Sequence, residues 1–348
     1  MTNQQIIQAV RALARGATPD VDISEPLYQH GCEYLLSLIP NSPYRKELVL
    51  QQALNMAACR ERYRTCRCIL EQTEIPYAVF KGAVLSQMAY GDPALRSSGD
   101  IDILIRQQDA DRLKQLLYSN GFVQGRVTDN GIVPFSRREI LFQTSMSHQT
   151  APYVKENGNR LCPYINLDVN MDLLWGESEE KADMDFVLAH TEPGKLFDVS
   201  FRKLTPEMEF LALCLHHYKD MNSLYLLSGG SLRLKLFCDI YFYLCRVHPD
   251  VRKLLAFCQH LHVGKYLYVC LFHTREIFGD GVCNEYLDAL APEKDDALLD
   301  AYGLNAKERR AWRMGLLERL FHPNLAGYLT GQFTEEEKEK IKINRELM

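Results

Sequence analysis

The spacing of apolar residues along the chain predicts a helical start, a strand-rich middle and a helical end. The first region and the last region show the spacing of amphipathic helices. Between them, short segments alternate apolar and polar residues, as half-buried strands do. We therefore predict an α+β fold with a helical N-terminal segment (1–72), a core with a small mixed β-sheet (73–200) and a helical C-terminal domain (201–348).

The core is predicted to contain several strands and one amphipathic helix. A first strand begins at Tyr77, and the helix covers residues 109–119, where Asn120-Gly121 is a usual helix stop. Thr205-Pro206 is typical of a helix start, so residues 201–206 are the predicted hinge. The further strands are predicted at residues 100–105, 122–126, 139–146 and 164–175.

Two aspartates share one face of the predicted strand Asp100–Ile105. Ile101 and Ile103 alternate with Asp100 and Asp102, and successive side chains of a strand point to opposite faces, so the isoleucines pack inward. Neighbouring carboxylates repel each other unless a cation neutralises them, and Mg²⁺ prefers oxygen ligands and brings phosphate with it. An isolated Asp-x-Asp is more often a solvated strand start, but the strand context and the preceding Lys-Gly favour a metal site.

These residues resemble the nucleotidyltransferases of the DNA polymerase β-like superfamily, in particular a bacterial branch of uncharacterised nucleotidyltransferase family proteins. The specific part of the resemblance covers residues 75–175, and a looser likeness that includes His30-Gly31 covers most of the chain. The superfamily usually has Gly-Gly or Gly-Ser after the first strand, whereas this chain has Gly82-Ala83 and lacks that hydroxyl. The motifs that carry the resemblance are Lys81-Gly82, Tyr90-Gly-Asp-Pro93, Arg96 and Asp100-Ile-Asp102.

A third carboxylate belongs to the site in this superfamily, and the predicted strand 164–175 offers two. Asp168 and Asp172 point to the same face, but they lie roughly 13 Å apart along a strand, so one metal centre can use only one of them. The superfamily tends to have an acidic residue, leucine, histidine and tryptophan here. Asp172-Leu-Leu-Trp175 matches that pattern except at Leu174, so the resemblance favours Asp172.

The resemblance implies transfer of a nucleoside monophosphate from an NTP, such as ATP, to a hydroxyl, with release of pyrophosphate. Two Mg²⁺ or Mn²⁺ ions would be held by the catalytic residues Asp100, Asp102 and Asp172. The acceptor stays open between RNA, a protein side chain and a small molecule. The candidate phosphate contacts are Lys81, Gly82, Arg96, Ser97 and Ser98. The side chains of Lys81 and Arg96 fit the role of ordinary surface cations almost as well.

Composition fits an enzyme with a large core and limits its partners. The 348 residues are 47% hydrophobic and carry a net charge of −5, so a polynucleotide would need a local basic patch. We find no signal-peptide pattern at the start and no apolar run long enough to span a bilayer. The 11 scattered cysteines, without a Cys-x-x-Cys pair, indicate reduced thiols, so we expect a cytoplasmic protein with no membrane partner.

Other polar residues have both a structural and a functional interpretation. His148 follows a predicted strand and is a weaker candidate for the site. Four arginines of the long first-region helix form either a solvated face, which we favour, or a basic wall facing triphosphate or RNA: Arg60, Arg62, Arg64 and Arg67.

The helical end contains two such features. His216-His217 lies in an apolar helix, and we interpret it as a packed, hydrogen-bonded pair, because a zinc site needs more ligands. Asp239 lies among apolar residues, where a buried carboxylate needs a partner, and Arg233 or Lys235 could supply one. In the functional interpretation, Asp239 borders the acceptor pocket.

Two rival functional classes remain open. A metal-dependent glycosyltransferase also uses Asp-x-Asp, but it requires strand–helix repeats before that motif, where this chain has helices. A catalytically degenerate nucleotide-binding or regulatory module is suggested by Ala83 and Leu174. The three aspartates at positions 100, 102 and 172 argue against that module.

Overall fold

The computed structural model describes residues 1–176, 178 and 180–347, which form two compact units. The first, here called the helical unit, combines residues 1–50 with residues 210–345. The second, here called the sheet unit, is built on residues 51–209. Within the predicted hinge, residues 201–204 belong to the last strand of the sheet.

Helices dominate both ends of the chain, as the apolar spacing predicts. The α-helices of the described residues are, in chain order, α1 (Asn3–Ala14), α2 (Ser24–Gln29), α3 (Glu33–Ser37), α4 (Arg45–Gln72), α5 (Gly82–Tyr90), α6 (Ala110–Ser119), α7 (Arg137–Met146), α8 (Met184–Ala189), α9 (Pro206–Asn222), α10 (Leu224–Leu227), α11 (Leu234–Val247), α12 (Val251–Leu261), α13 (Gly264–Phe278), α14 (Asn284–Ala289), α15 (Asp296–Leu299), α16 (Leu316–Leu320), α17 (Leu325–Thr330) and α18 (Glu335–Leu347). None of these helices is both long enough and apolar enough to cross a lipid bilayer.

The sheet unit contains a mixed sheet of eight strands in the order β4-β3-β5-β6-β2-β1-β8-β7. The mixed α+β class is confirmed, but the expected small sheet is wrong in size. Two central pairs, β2 with β6 and β1 with β8, are parallel, whereas β1 and β2 are antiparallel. The strands are β1 (Tyr77–Phe80), β2 (Asp100–Ile105), β3 (Val123–Thr128), β4 (Gly131–Pro134), β5 (Tyr153–Asn159), β6 (Cys162–Asn170), β7 (Thr191–Leu196) and β8 (Val199–Leu204); β9 (Ala301–Tyr302) and β10 (Arg310–Ala311) pair in the helical unit.

The strand predicted at residues 139–146 is wrong, because these residues belong to α7. A capping box starts this helix: Ser136 Oγ accepts the Glu139 N–H at 3.3 Å, and Glu139 Oε2 accepts the Ser136 N–H at 2.7 Å. Both bonds satisfy backbone donors that a helix start leaves without partners. The local capping sequence therefore decides this element against the apparent alternation.

The strand predicted at residues 164–175 is shorter in the structure. β6 ends at Asn170, and this last residue also forms an isolated antiparallel bridge with Gln149. Beyond it, Asp172 Oδ1 accepts the backbone N–H groups of Leu174 at 2.9 Å and Ala182 at 3.2 Å. Asp172 therefore organises the segment after the strand and is not part of the ladder.

The apolar face of the sheet forms the core of this unit. Alternate side chains of β2 and β6 are buried there, with α4 and α6 supplying further apolar side chains. Since strand side chains alternate between faces, Asp100 and Asp102 of β2 and Asp168 of β6 face the other way. The core members on these two strands are Ile101, Ile103, Ile105, Cys162, Ile165, Leu167 and Val169, and each is at most 4% exposed.

Candidate active site

Strand register brings acidic residues together on the polar face of β2 and β6. In this parallel pair Asp100 lies opposite Asn166, and Asp102 lies opposite Asp168. Directly opposed residues of neighbouring strands share a face. The register therefore places Asp168 beside Asp102, whereas Asp172 follows the end of β6.

Asp102 is the most buried carboxylate of this group, at 8% exposure. Asn170 Nδ2 donates to Asp102 Oδ1 at 3.2 Å, and the ammonium of Lys81 lies 3.5 Å from the same oxygen. A buried carboxylate needs such partners, since leaving water without them is costly. Lys81, at the end of β1, is thus the positive charge that neutralises Asp102.

Asp100 is held by the loop that precedes β2. Ser98 Oγ donates to Asp100 Oδ1 at 2.9 Å. Burial raises the pKa of Asp100 above its ordinary value, and the charge of Asp102 raises it further. Because the carboxylates of Asp100 and Asp102 repel each other, a cation bound between them would be stabilised.

A strained turn connects β1 to α5. Lys81 has φ +54° and Gly82 has φ +45°, both in the left-handed region. A Cβ on Gly82 would lie 3.1 Å from Ser98 Oγ, so the turn also packs closely against the loop. Gly82 is the first residue of α5, whose N-terminal N–H groups have no capping side chain from Lys81. A helix N-terminus approached this closely by glycine backbone is suited to phosphate.

Glu209 holds this turn from the first part of α9. Its Oε1 accepts the backbone N–H of Lys81 at 2.7 Å, and its Oε2 is buried without a hydrogen-bond partner among the described residues. Burial raises the pKa of Glu209 to about 7. Sequence reasoning missed this residue, because acidic residues are common in any first helical turn and carry no further signal there.

Arg62 is the arginine of α4 that reaches the site. It is 7% exposed, and its Nη2 donates to the backbone carbonyl of Ser98 at 2.6 Å. The neighbouring arginines have other partners: Arg64 pairs with Glu61, and Arg67 pairs with Glu71 and Asp198. The four arginines therefore do not share one role.

The remaining predicted contacts lie on the loop between α5 and β2. The backbone N–H of Arg96 donates to Ser86 Oγ at 2.9 Å, which fixes the loop to α5, and Ser97 is exposed. Ala83 and Leu174, where the chain departs from the superfamily pattern, are both buried, at 5% and 0% exposure. His148 contributes its carbonyl to the backbone N–H of Met171 at 2.8 Å.

In the helical unit, Asp239 has a histidine partner on α9. Its Oδ2 lies 3.1 Å from His217 Nε2, and both side chains are fully buried. The pair joins α9 to α11.

A carboxylate pair on a strand, beside a lysine–glycine turn at a helix start, is the chemistry of a protein that handles nucleotide phosphates. Residues 20–279 match a family described as uncharacterised nucleotidyltransferase. Because the match spans about three quarters of the chain, the protein belongs to this family. Comparison with curated proteins gives no match.

Proposed function

We propose that this protein is a metal-dependent nucleotidyltransferase that moves an NMP from an NTP to a hydroxyl acceptor and releases pyrophosphate. One observation carries the proposal: the β2–β6 register aligns Asp102 with Asp168 on the face that also carries Asp100. The Lys81-Gly82 turn at the start of α5 lies beside them. The family supports a nucleotidyl reaction in general, and this face supports the metal dependence.

The donor set fits Mg²⁺ or Mn²⁺. It consists of carboxylate oxygens, which these hard cations prefer. The raised pKa of Asp100, caused by burial and by Asp102, is the electrostatic condition that a bound cation relieves. Asp100 and Asp102 would hold the metal together with one further carboxylate. When bound, two such ions neutralise the triphosphate and lower the pKa of the attacking hydroxyl.

We assign the third carboxylate to Asp168, because it is aligned with Asp102 across the strand pair. The resemblance instead favours Asp172, and that prediction still stands to be tested. Asp172 Oδ1 already accepts two backbone N–H groups, which is the role of a residue that shapes a loop. Paired variants of the two aspartates decide between them.

The cationic and amide groups would bind the triphosphate. Lys81 supplies a charge next to Asp102, and the free N–H groups at the start of α5 supply dipoles directed at an anion. Arg62 holds the carbonyl of Ser98 and so fixes the loop that carries the further candidates Arg96 and Ser97. Phosphoryl transfer depends mainly on such positioning and charge neutralisation.

Calorimetry with the full chain tests the metal and nucleotide together. We expect each NTP that binds to do so in Mg²⁺ and to lose affinity in EDTA. Purified protein is then incubated with each α-³²P NTP and a cell extract divided into RNA, protein and small molecules. Label transferred to one fraction identifies the acceptor class, and NTP binding that is equal in EDTA contradicts the proposal.

A second candidate is a nucleotide-binding module without turnover. The observation that favours it is the Lys81–Asp102 contact of 3.5 Å, which already neutralises the carboxylate, together with Ala83 in place of a hydroxyl residue. This candidate predicts NTP binding without label transfer to any fraction. The same two experiments therefore separate it from the enzyme.

A further inference from the structure

Three potential metal ligands lie together on α9, in the helical unit. One donor atom each from His216, His217 and Asp220 lies within 4.8 Å of the other two. His216 Nε2 is 3.5 Å from Asp220 Oδ2. Helical spacing brings Asp220 next to both histidines, because residues three and four positions apart are neighbours on a helix surface.

The imidazole of His217 is held in a specific way. The ring is fully buried, and its Nε2 lies 3.1 Å from Asp239 Oδ2 on α11. Its Nδ1 is buried and has no hydrogen-bond partner among the described residues. An imidazole that is oriented by a carboxylate at one nitrogen, with the other nitrogen left for coordination, is the usual outer-shell arrangement of a metal-bound histidine.

A packed, hydrogen-bonded pair explains only part of this arrangement. The His217–Asp239 contact satisfies Nε2 and the buried carboxylate, but it leaves His217 Nδ1 buried without a partner. Buried polar atoms normally have partners, and each exception needs an explanation. Coordination of an ion by Nδ1 explains the exception and also the closeness of His216 and Asp220.

The ligand types indicate which ion would bind. Two imidazole nitrogens and one carboxylate oxygen suit Zn²⁺ and related divalent transition metals, whereas Mg²⁺ prefers oxygen alone. The side chains of His216 and Asp220 are 25% and 20% exposed, so solvent reaches the cluster. An ion can enter from that side, and water can complete its coordination.

We propose that His216, His217 and Asp220 form a binding site for a divalent transition-metal ion of the Zn²⁺ type, with Asp239 as the residue that orients His217. The site is independent of the proposed nucleotidyl reaction. It uses a different ligand chemistry from the aspartates of β2.

The test uses the full-length chain after removal of bound metal with EDTA and dialysis. Titration with Zn²⁺ by calorimetry, and with Co²⁺ by visible absorption, should show one equivalent bound at micromolar or lower concentration. Tetrahedral Co²⁺ with nitrogen ligands gives an absorption band that a merely structural histidine pair does not give. A titration without stoichiometric binding overturns the proposal.

Variants locate the ion. His216→Gln and Asp220→Asn change partly exposed side chains, so the fold should persist, as thermal melts would verify. Each should weaken Zn²⁺ binding at least about tenfold, and Asp239→Asn should weaken it by about ten- to a hundredfold through His217. His260→Gln, an exposed histidine of α12, is the matched control and should bind as the wild type does.

A further arm separates this site from the nucleotide site. Asp102→Asn should leave Zn²⁺ affinity unchanged. Zn²⁺ binding that is lost in Asp102→Asn, or retained in both His216→Gln and Asp220→Asn, assigns the ion elsewhere and overturns the proposal.

Discussion

The sheet unit and the helical unit each bring potential metal ligands together, but by different physical means. In the sheet unit, Asp102 and Asp168 meet because two strands far apart in sequence pair in one register. In the helical unit, His216 and Asp220 meet because one helical turn separates them. The first cluster depends on the whole sheet, whereas the second needs one helix and a single residue, Asp239, from another.

The two clusters also differ in what neutralises their charge. Within the described residues, His216, His217 and Asp220 are the one trio of His, Cys, Asp or Glu donor atoms that lie within 4.8 Å of one another. In the sheet unit, Lys81 and Asn170 contact Asp102. An oxygen-only set with a lysine counterion suits a cation that arrives with a phosphate, whereas a nitrogen-rich set suits a resident transition metal.

The largest effect on turnover is expected from the variant Asp102→Asn. Asp102 is the most buried carboxylate of the group formed by Asp100, Asp102 and Asp168. Its loss should therefore lower turnover by at least about a thousandfold, which corresponds to several kcal/mol of charge stabilisation. Metal-dependent NTP binding should be lost as well. Label transfer and calorimetry measure both, and a thermal melt close to that of the wild type excludes unfolding. Full activity in this variant would show that Asp100, Asp102 and Asp168 do not form the catalytic metal site.

The second prediction sharpens the register argument. Asp168→Asn should reduce turnover by about a hundredfold or more, because a metal ligand beside Asp102 is lost. Asp172→Asn keeps an oxygen that can accept the N–H groups of Leu174 and Ala182, so the fold persists and turnover should stay within about tenfold of the wild type. Turnover of the two isosteric variants, measured side by side, is the test. An inactive Asp172→Asn with an active Asp168→Asn would return the role to Asp172.

Alternation along β2 made its polar face predictable, and the Lys-Gly turn before it was equally visible. Alternation alone did not identify the partner strand of β2 or the register of that pair, because pairing depends on the packing of the whole sheet. The same limit explains Asp172: its pattern continues that of β6, but Asp172 bonds with Leu174 and Ala182 after the strand has ended.

Other features were missed for different reasons. The segment 139–146 alternates like a strand, and the capping box at Ser136 and Glu139 outweighs that pattern. Glu209 contacts Lys81 although 128 residues of sequence separate them, so the sequence near either residue does not predict the contact. The match between His217 and Asp239 is of the same long-range kind.

The third prediction concerns the Lys81-Gly82 turn, which we propose binds phosphate. Gly82→Ala places a Cβ 3.1 Å from Ser98 Oγ at φ +45°, which should cost about 1–2 kcal/mol of stability and weaken NTP binding about tenfold. Gly16→Ala, in the helical unit, is a matched control at φ +75°, with nothing within 4 Å of the added Cβ. It should show a similar strain cost in urea melts and unchanged NTP affinity. Equal NTP affinity in both variants would separate the turn from nucleotide binding.

The fourth prediction contrasts the buried carboxyls of the two units, Glu209 and Asp239. Asp239 has a histidine partner, whereas Glu209 Oε1 accepts one backbone N–H and its Oε2 has no partner among the described residues. Burial raises the pKa of Glu209 from an ordinary value of 4.5 to about 7. The folded state therefore keeps a proton that the unfolded chain releases, so its contribution to stability is complete below pH 4.5 and declines up to about pH 7.

Glu209→Gln removes this titration and keeps an oxygen for the Lys81 N–H. The free energy of unfolding of the wild type, relative to that of the variant, should fall by up to about 3 kcal/mol between pH 4.5 and 7 and then level off. Urea melts of both proteins at intervals from pH 4.5 to 8 measure the difference. If the two stability curves run parallel across this range, Glu209 is ionised in the fold and Lys81 or Lys203 compensates its charge.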